Sequence, residues 1–315
     1  MHNTHAQPTI AFLGTGLMGL PMAQRLLAAG YRLHVWNRTA AKAQPLVAAG
    51  AQQHERPADA AAQADVVIAM LENGDISRLL LTGLGVADAM RAGSLFIDMA
   101  SIQPRQAREH AALLHARGVR ALDAPVSGGT VGAEAGTLAI MVGGEQADFD
   151  AAQPVFAALG RPTRVGGHGA GQLAKLVNQL IVGITIGAVA EGLLLAEKGG
   201  ADPAKVREAI AGGFADSRIL QLHGQRMVEQ DFTPRGRLSV QLKDMRNALA
   251  TSAELGYQAP ITTLLEALFA QAAQHGYQDL DHSALFLELA RCNGMHGQND
   301  GPNGQGGQTP QWSRC

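Results

Sequence analysis

Short apolar runs alternate along the chain with longer stretches in which apolar residues recur every three or four positions. The runs at 9–13 (TIAFL), 32–36 (RLHVW), 65–70 (DVVIAM), 94–98 (SLFID), 119–123 (VRALD), 138–142 (LAIMV) and 163–165 (TRV) predict strands. Helices are predicted at 17–29, ending at Gly30, at 40–48, and at 104–117, where Pro104 suits a first turn. Strand then helix, repeated, predicts a parallel sheet covered by helices on both faces. From about Gly171 the pattern changes. Only helical runs follow, at 172–198, 203–211, 217–229, 239–256, 260–275 and 283–291, most of them separated by Gly or Pro. The expected organisation is therefore an α/β domain over 8–170, an all-α domain over 171–292, and a tail at 293–315. That tail is rich in Gly, Asn and Gln and almost without apolar residues, a composition that predicts disorder.

Composition narrows the class. At 315 residues and 46% hydrophobic, the chain can bury two cores. Twenty-five basic against 27 acidic residues leave no basic surplus, and only 4% are aromatic, so neither nucleic acid nor an anionic membrane is an expected partner. Two late cysteines, Cys292 and Cys315, make no disulfide framework, and residues 1–9 lack a signal-peptide pattern. A cytoplasmic location is expected. Residues 176–196 are as long as a membrane span, but Asn178, Gln179 and Glu191 lie within them and Lys175 just before. A helix buried between the domains is the better reading.

The 38 glycines cluster in motifs. Gly14-Thr15-Gly16-Leu17-Met18-Gly19 is G-x-G-x-x-G between a strand and a helix, the context of a dinucleotide site. Gly14 permits the tight turn, Gly16 lets the backbone approach a pyrophosphate, and Gly19 allows the helix to pack closely on the strand. Where an acidic residue would favour NAD, the second strand ends in Asn37-Arg38-Thr39. Arg38 can pair with a 2′-phosphate, so NADP is expected in preference, with NAD as the alternative. Leu71, just after the strand at 65–70, is counted with the cofactor-binding residues.

Three further segments carry functional groups. Asp123-Ala-Pro-Val-Ser127-Gly128-Gly129 presents a hydroxyl and successive backbone N–H groups, which suits either a carboxylate or simply a tight turn. In G-A-G-Q-L-A-K-L-V-N at 169–178, Lys175 and Asn178 share one face of an apolar helix. Burial there lowers a lysine pKa toward neutrality, as a general acid for carbonyl reduction needs. Lys243-Asp244, by itself, reads as surface charge.

Taken together, these motifs resemble the β-hydroxyacid dehydrogenases, which include 3-hydroxyisobutyrate dehydrogenase and tartronate semialdehyde reductase. The resemblance covers residues 9–291. It implies a Rossmann-type N-terminal domain, a long interdomain helix and an all-α C-terminal domain that pairs in dimers or tetramers. It also implies that Lys175 is the catalytic acid/base, that Asn178 helps hold the substrate, that Ser127, Gly128 and Gly129 bind its carboxylate, and that Lys243 reaches cofactor and substrate. Ser101 keeps a hydroxyl where the family's threonine meets the nicotinamide, whereas Ala100 lacks the family's other hydroxyl. After Phe232-Thr233-Pro234 the family's aromatic is missing.

Residues 212–226 look most like the tartronate semialdehyde (2-hydroxy-3-oxopropionate) reductase branch. The expected reaction is reduction of such a small semialdehyde acid by hydride transfer. Glyoxylate or succinic semialdehyde reduction is the next reading and 3-hydroxyisobutyrate oxidation the third. No metal is expected, since no His/Asp/Glu cluster has zinc spacing, and His168 reads as a loop residue. Imine reductases share the scaffold but generally replace the lysine. An NADP-binding regulatory protein is the non-enzyme alternative, and 6-phosphogluconate dehydrogenase needs a larger helical domain.

Overall fold

The structure, a computed structural model, describes residues 7–295. The tail expected at 293–315 lies almost wholly outside the described residues, as do Cys315 and the first six positions. Contacts divide the chain into two compact units. The first takes residues up to Ile181 together with Lys243–Pro260, and the second takes Val182–Leu242 and the residues from Ile261 onward.

The first unit is built on one nine-stranded sheet. Its strands are β1 (Ile10–Leu13), β2 (Leu33–Trp36), β3 (Gln52–Gln53), β4 (Val66–Ala69), β5 (Leu95–Asp98), β6 (Arg120–Asp123), β7 (Val126–Ser127), β8 (Leu138–Gly144) and β9 (Gly160–Gly166). The order is β3-β2-β1-β4-β5-β6-β8-β7, with β9 on β8. Between them lie helices α1 (Gly19–Ala28), α2 (Gln44–Ala48), α3 (Pro57–Ala62), α4 (Gly74–Arg78), α5 (Val86–Ala89), α6 (Pro104–His115), α7 (Gly129–Ala135) and α8 (Gln146–Ala157).

The apolar runs are strands because both faces are covered. Alternate residues of β1 enter opposite cores. Ile10 and Phe12 pack with Met22, Ala23 and Leu26 of α1. Ala11 and Leu13 pack on the other face with Ala60 and Ala61 of α3 and Val86 of α5. Phe149, Val155 and Phe156 of α8 extend the first core.

The sheet is not parallel throughout, which corrects the sequence reading. Strands β1 to β6 run parallel, whereas β8 is antiparallel to both β6 and β7. A parallel return needs a crossover of a dozen or more residues, usually with a helix long enough to travel back along the sheet. The seven-residue α7 is too short for that, so β8 re-enters from the carboxyl end.

Helix α9 (Ala170–Lys198) begins in the first unit and continues into the second. Among the described residues it is the one helix long and apolar enough to cross a membrane by length and composition. The second unit adds α10 (Pro203–Ile210), α11 (Arg218–Glu229), α13 (Pro260–Ala272) and α14 (Leu285–Cys292), with the start of α12 (Leu238–Glu254). Asp202 caps α10 and Ser217 caps α11. The fully buried Asp281 anchors this unit by pairing with Arg226 at 3.0 Å and accepting from the N–H groups of Arg235 and Gly236. Residues 243–260, grouped with the helical domain in the sequence reading, pack with the α/β unit.

Candidate active site

The candidate residues emerge at one edge of the sheet because the parallel strands end in register. Leu13, Ala69, Asp98 and Asp123 are successive partners at the carboxyl ends of β1, β4, β5 and β6. The turns at 14–19, 70–73, 99–103 and 124–129 therefore leave from the same end. The strand order reverses direction between β1 and β4, the place where open α/β sheets receive nucleotides.

In the first turn, Gly14 has φ 103°, and a Cβ there would lie 2.3 Å from the Met70 carbonyl oxygen. A Cβ on Gly19 would lie 1.9 Å from the Gly14 oxygen, so only glycine lets α1 start this close to the turn. A Cβ on Gly16 would meet open space, which leaves room for a ligand to reach the backbone. The Thr15 N–H donates to Asn37 Oδ1 at 2.9 Å, and Asn37 Nδ2 donates to the Thr39 carbonyl at 3.0 Å. These bonds tie the glycine turn to the end of β2. Thr15 Oγ1 is buried without a partner, Leu17 is 81% exposed and Arg38 is exposed. Leu71 packs beside Gly14, and Met18 immediately precedes α1 without a side-chain capping bond. An open backbone, an orphaned hydroxyl and a free guanidinium fit a dinucleotide.

Glycines also seat α9. A Cβ on Gly171 would lie 2.4 Å from the Met141 oxygen and 2.6 Å from the Asp123 oxygen. Asp123, buried at the end of β6, accepts from Gly169 N–H at 2.7 Å and Gln172 N–H at 2.9 Å, capping the helix. Burial raises the Asp123 pKa, and those two N–H bonds oppose the rise. The buried Gln172 donates to the Ala100 carbonyl at 2.8 Å and accepts from Ile102 N–H at 3.0 Å. The 99–103 turn, with Ser101, is thereby fixed to α9.

One turn later on α9, Lys175 Nζ donates to Gln179 Oε1 at 2.9 Å, and Asn178 Nδ2 donates to the same oxygen at 2.8 Å. Gln179 Nε2 donates to Asp244 Oδ2 at 2.7 Å. Asp244 Oδ1 accepts from Ser101 Oγ at 3.3 Å and lies 3.2 Å from Lys243 Nζ. Lys243 Nζ also reaches the carbonyls of Glu72 and Ser101, each at 3.4 Å. All of these residues belong to the first unit. Lys175 is half-buried, and its pKa is lowered to about 8. Desolvation is the main cause, opposed by the Asp244 charge and reinforced by Lys243.

Ser127 ends β7, with Gly128 (φ 139°) and Gly129 (φ 64°) leading into α7. The sequence reading of a bare turn therefore omits this helix. The structure gathers Lys175, Asn178, Ser101 and Lys243 into one network; Ser127–Gly129 and the glycine turn share its sheet edge without joining it. The network also contains Gln179 and Asp244, and Gln172 fixes the turn that carries Ser101; sequence reasoning gave none of the three a role. Asp244 is only 2% exposed, so the Lys-Asp pair is not surface charge. The available signal was the recurrence of polar residues, 172, 175, 178 and 179, along one apolar helix.

A family model described as the NAD binding domain of 6-phosphogluconate dehydrogenase matches residues 9–169. A second, described as NAD-binding of NADP-dependent 3-hydroxyisobutyrate dehydrogenase, matches residues 169–289. The 2-hydroxy-3-oxopropionate reductase of Escherichia coli (strain K12) is 41% identical over 282 residues, 89% of this chain and 96% of the relative. The chain belongs to the β-hydroxyacid dehydrogenase family. A probable 3-hydroxyisobutyrate dehydrogenase-like protein of Arabidopsis thaliana is 35% identical, over 94% of this chain and 89% of its own length. The 3-hydroxyisobutyrate dehydrogenase of Mycobacterium tuberculosis, solved with L-serine, superposes with a TM-score of 0.84. It is 34% identical, over 90% of this chain and 99% of that one. As a β-hydroxyacid dehydrogenase the protein is an NAD(P)-dependent oxidoreductase acting on a CH–OH group. Its Rossmann-like sheet followed by a mostly helical region is the architecture the resemblance implied.

Proposed function

We propose that the protein reduces a small semialdehyde acid, with tartronate semialdehyde as the leading substrate and NADPH as the preferred cofactor. The observation that carries the chemistry is Lys175, a half-buried amine with pKa about 8 held by Gln179. Such an amine is divided between its acid and base forms near neutral pH, the condition for efficient general acid–base catalysis. The substrate class is supported by the 41% identity to the Escherichia coli reductase. The cofactor preference rests on Arg38, exposed beside the end of β2 with no carboxylate at Asn37 or Thr39.

Gly14–Gly19 would hold the dinucleotide, since their turn and helix start offer N–H groups to phosphates. Asn37, Arg38 and Thr39 would meet the ribose end, and Leu71, Ser101 and Lys243 would line the remainder. When bound, the nicotinamide supplies the hydride that goes to the carbonyl carbon. Ser127 Oγ and the N–H groups of Gly128 and Gly129 hold the substrate carboxylate and so orient the carbonyl. Lys175 Nζ donates a proton to the carbonyl oxygen as the C–H bond forms, and its charge stabilises the developing alkoxide. Asn178 positions that oxygen. In the oxidative direction, neutral Lys175 takes the hydroxyl proton. The scheme needs no metal.

We assign residues 8–170 to the cofactor-binding domain and 171–292 to the helical one, of which 171–181 and 243–260 pack with the α/β unit. A homodimer or homotetramer would cover the exposed Leu195, Ile261 and Leu264 of the helical unit. A cytoplasmic setting suits a reductase that draws on the cellular NADPH pool. The test is oxidation of NADPH and NADH against tartronate semialdehyde, glyoxylate, succinic semialdehyde and methylmalonate semialdehyde. Fastest turnover with tartronate semialdehyde and NADPH supports the proposal. Faster turnover with glyoxylate or succinic semialdehyde moves the protein to that branch, and turnover only of methylmalonate semialdehyde points to 3-hydroxyisobutyrate chemistry.

A further inference from the structure

Beneath the sheet edge, Asp98, His110 and His168 come from three segments that the chemistry above does not use. Asp98 ends β5, His110 lies on α6 and His168 lies in the turn before α9. Asp98 is 3% exposed and His110 is 6% exposed. Asp98 Oδ1 accepts from Ala100 N–H at 3.1 Å. Its Oδ2 faces His110 Nδ1 at 3.6 Å, too far for a hydrogen bond. Asp98 Oδ2, His110 Nδ1 and His168 Nε2 are all buried without a partner. All three residues line one small cavity, which has room for the centre of a water molecule over about 10 Å³.

Buried polar atoms in native proteins nearly always find a partner, in the protein or in ordered water. An apolar void of this size would stay dry, but one lined by Asp98, His110, Asp123 and His168 offers the two to four polar partners that a water needs. We infer that this cavity is a binding site for one structural water joining Asp98, His110 and His168. The water accepts a hydrogen bond from His110 Nδ1–H and donates its two hydrogens to Asp98 Oδ2 and His168 Nε2. Every orphaned atom is then satisfied, with a proton on His110 Nδ1 and a lone pair on His168 Nε2.

The site ties the end of β5 to α6 and to the turn that starts α9. Those segments carry Ser101 and Lys175, so the water acts as a strut under both. His168 also lines a larger, open cavity of about 230 Å³ beside Arg108 and Glu254. Burial of Asp98 and His110 keeps bulk solvent from the site, so the water exchanges slowly.

The test is a crystal structure of the full chain at a resolution that shows ordered waters, paired with oxygen-17 relaxation dispersion in solution. The expected density is a single peak within hydrogen-bond distance of Asp98 Oδ2, His110 Nδ1 and His168 Nε2. His110→Leu is expected to remove that peak, to lower the count of long-lived waters by one and to lower the unfolding midpoint. His168→Leu, on the turn, serves the same comparison should His110→Leu not fold. An empty cavity in the wild-type crystal, a direct Asp98–His110 bond that closes it, a metal peak, or an unchanged count of long-lived waters would each overturn the inference.

Discussion

Neutralising Asp244 should move the titration of Lys175. Gln179 spans the two groups, with Nζ to Oε1 at 2.9 Å and Nε2 to Oδ2 at 2.7 Å. Adding the width of an amide to those two distances puts amine and carboxylate up to about 8 Å apart, where at an effective dielectric of about 20 two unit charges interact by about 2 kcal/mol. That corresponds to about 1.5 pKa units. The carboxylate favours the ammonium form, so Asp244→Asn lowers the Lys175 pKa from about 8. Lys243, 3.2 Å from Asp244, already lowers it and is then no longer opposed by that carboxylate. Aldehyde reduction needs the ammonium, so its kcat/KM falls as pH rises through this pKa. In Asp244→Asn that falling limb is expected at a pH about 1–2 units lower. Oxidation of the hydroxy acid needs the free amine, so its rising limb shifts down equally. The assay is the pH dependence of kcat/KM in both directions, with NADPH binding by fluorescence as the control for folding. An unmoved limb, or one displaced upward, would refute the coupling through Gln179.

Three other expectations are independent of that one. Arg38→Ala should weaken NADPH by tenfold or more, equivalent to about 1.4 kcal/mol, while leaving NADH nearly unchanged in fluorescence titrations; equal losses would show that Arg38 does not read a 2′-phosphate. Gly19→Ala should abolish binding of both nucleotides, because a Cβ would lie 1.9 Å from the Gly14 oxygen; retained affinity would contradict that packing. Gln172→Leu strands Ala100 C=O and Ile102 N–H, so urea unfolding should show a loss of about 2–4 kcal/mol; an unchanged midpoint would remove Gln172 from the clamp.

Strands β1, β4 and β5 were legible because burial on both faces leaves unbroken apolar runs. The direction of β8 was not, since LAIMV reads the same whichever neighbour it joins; only the brevity of α7 decides it. Helix α8 escaped notice because Pro154 sits inside it and its mixed polarity blurs the apolar face. In the site, Lys175 and Asn178 stood out as polar residues on an apolar helix. Asp244 did not, because an adjacent lysine looks the same on a solvated helix as on one whose carboxylate is buried by β5's following turn. Gln179 was visible in the sequence but gained a role only once α12 brought Asp244 to it. The G-x-G-x-x-G turn was read most fully, as each glycine there answers a local steric demand.

The most direct measurement is turnover by Lys175→Ala beside its NADPH affinity. Lys175 carries the proposed proton transfer but no contact to the glycine turn, so the two readouts separate. The expected result is a fall in kcat of about 10²–10⁴-fold with tartronate semialdehyde, and NADPH affinity within a few-fold of the wild type. Turnover close to the wild-type rate, with NADPH still bound, would contradict the role of Lys175 as the general acid.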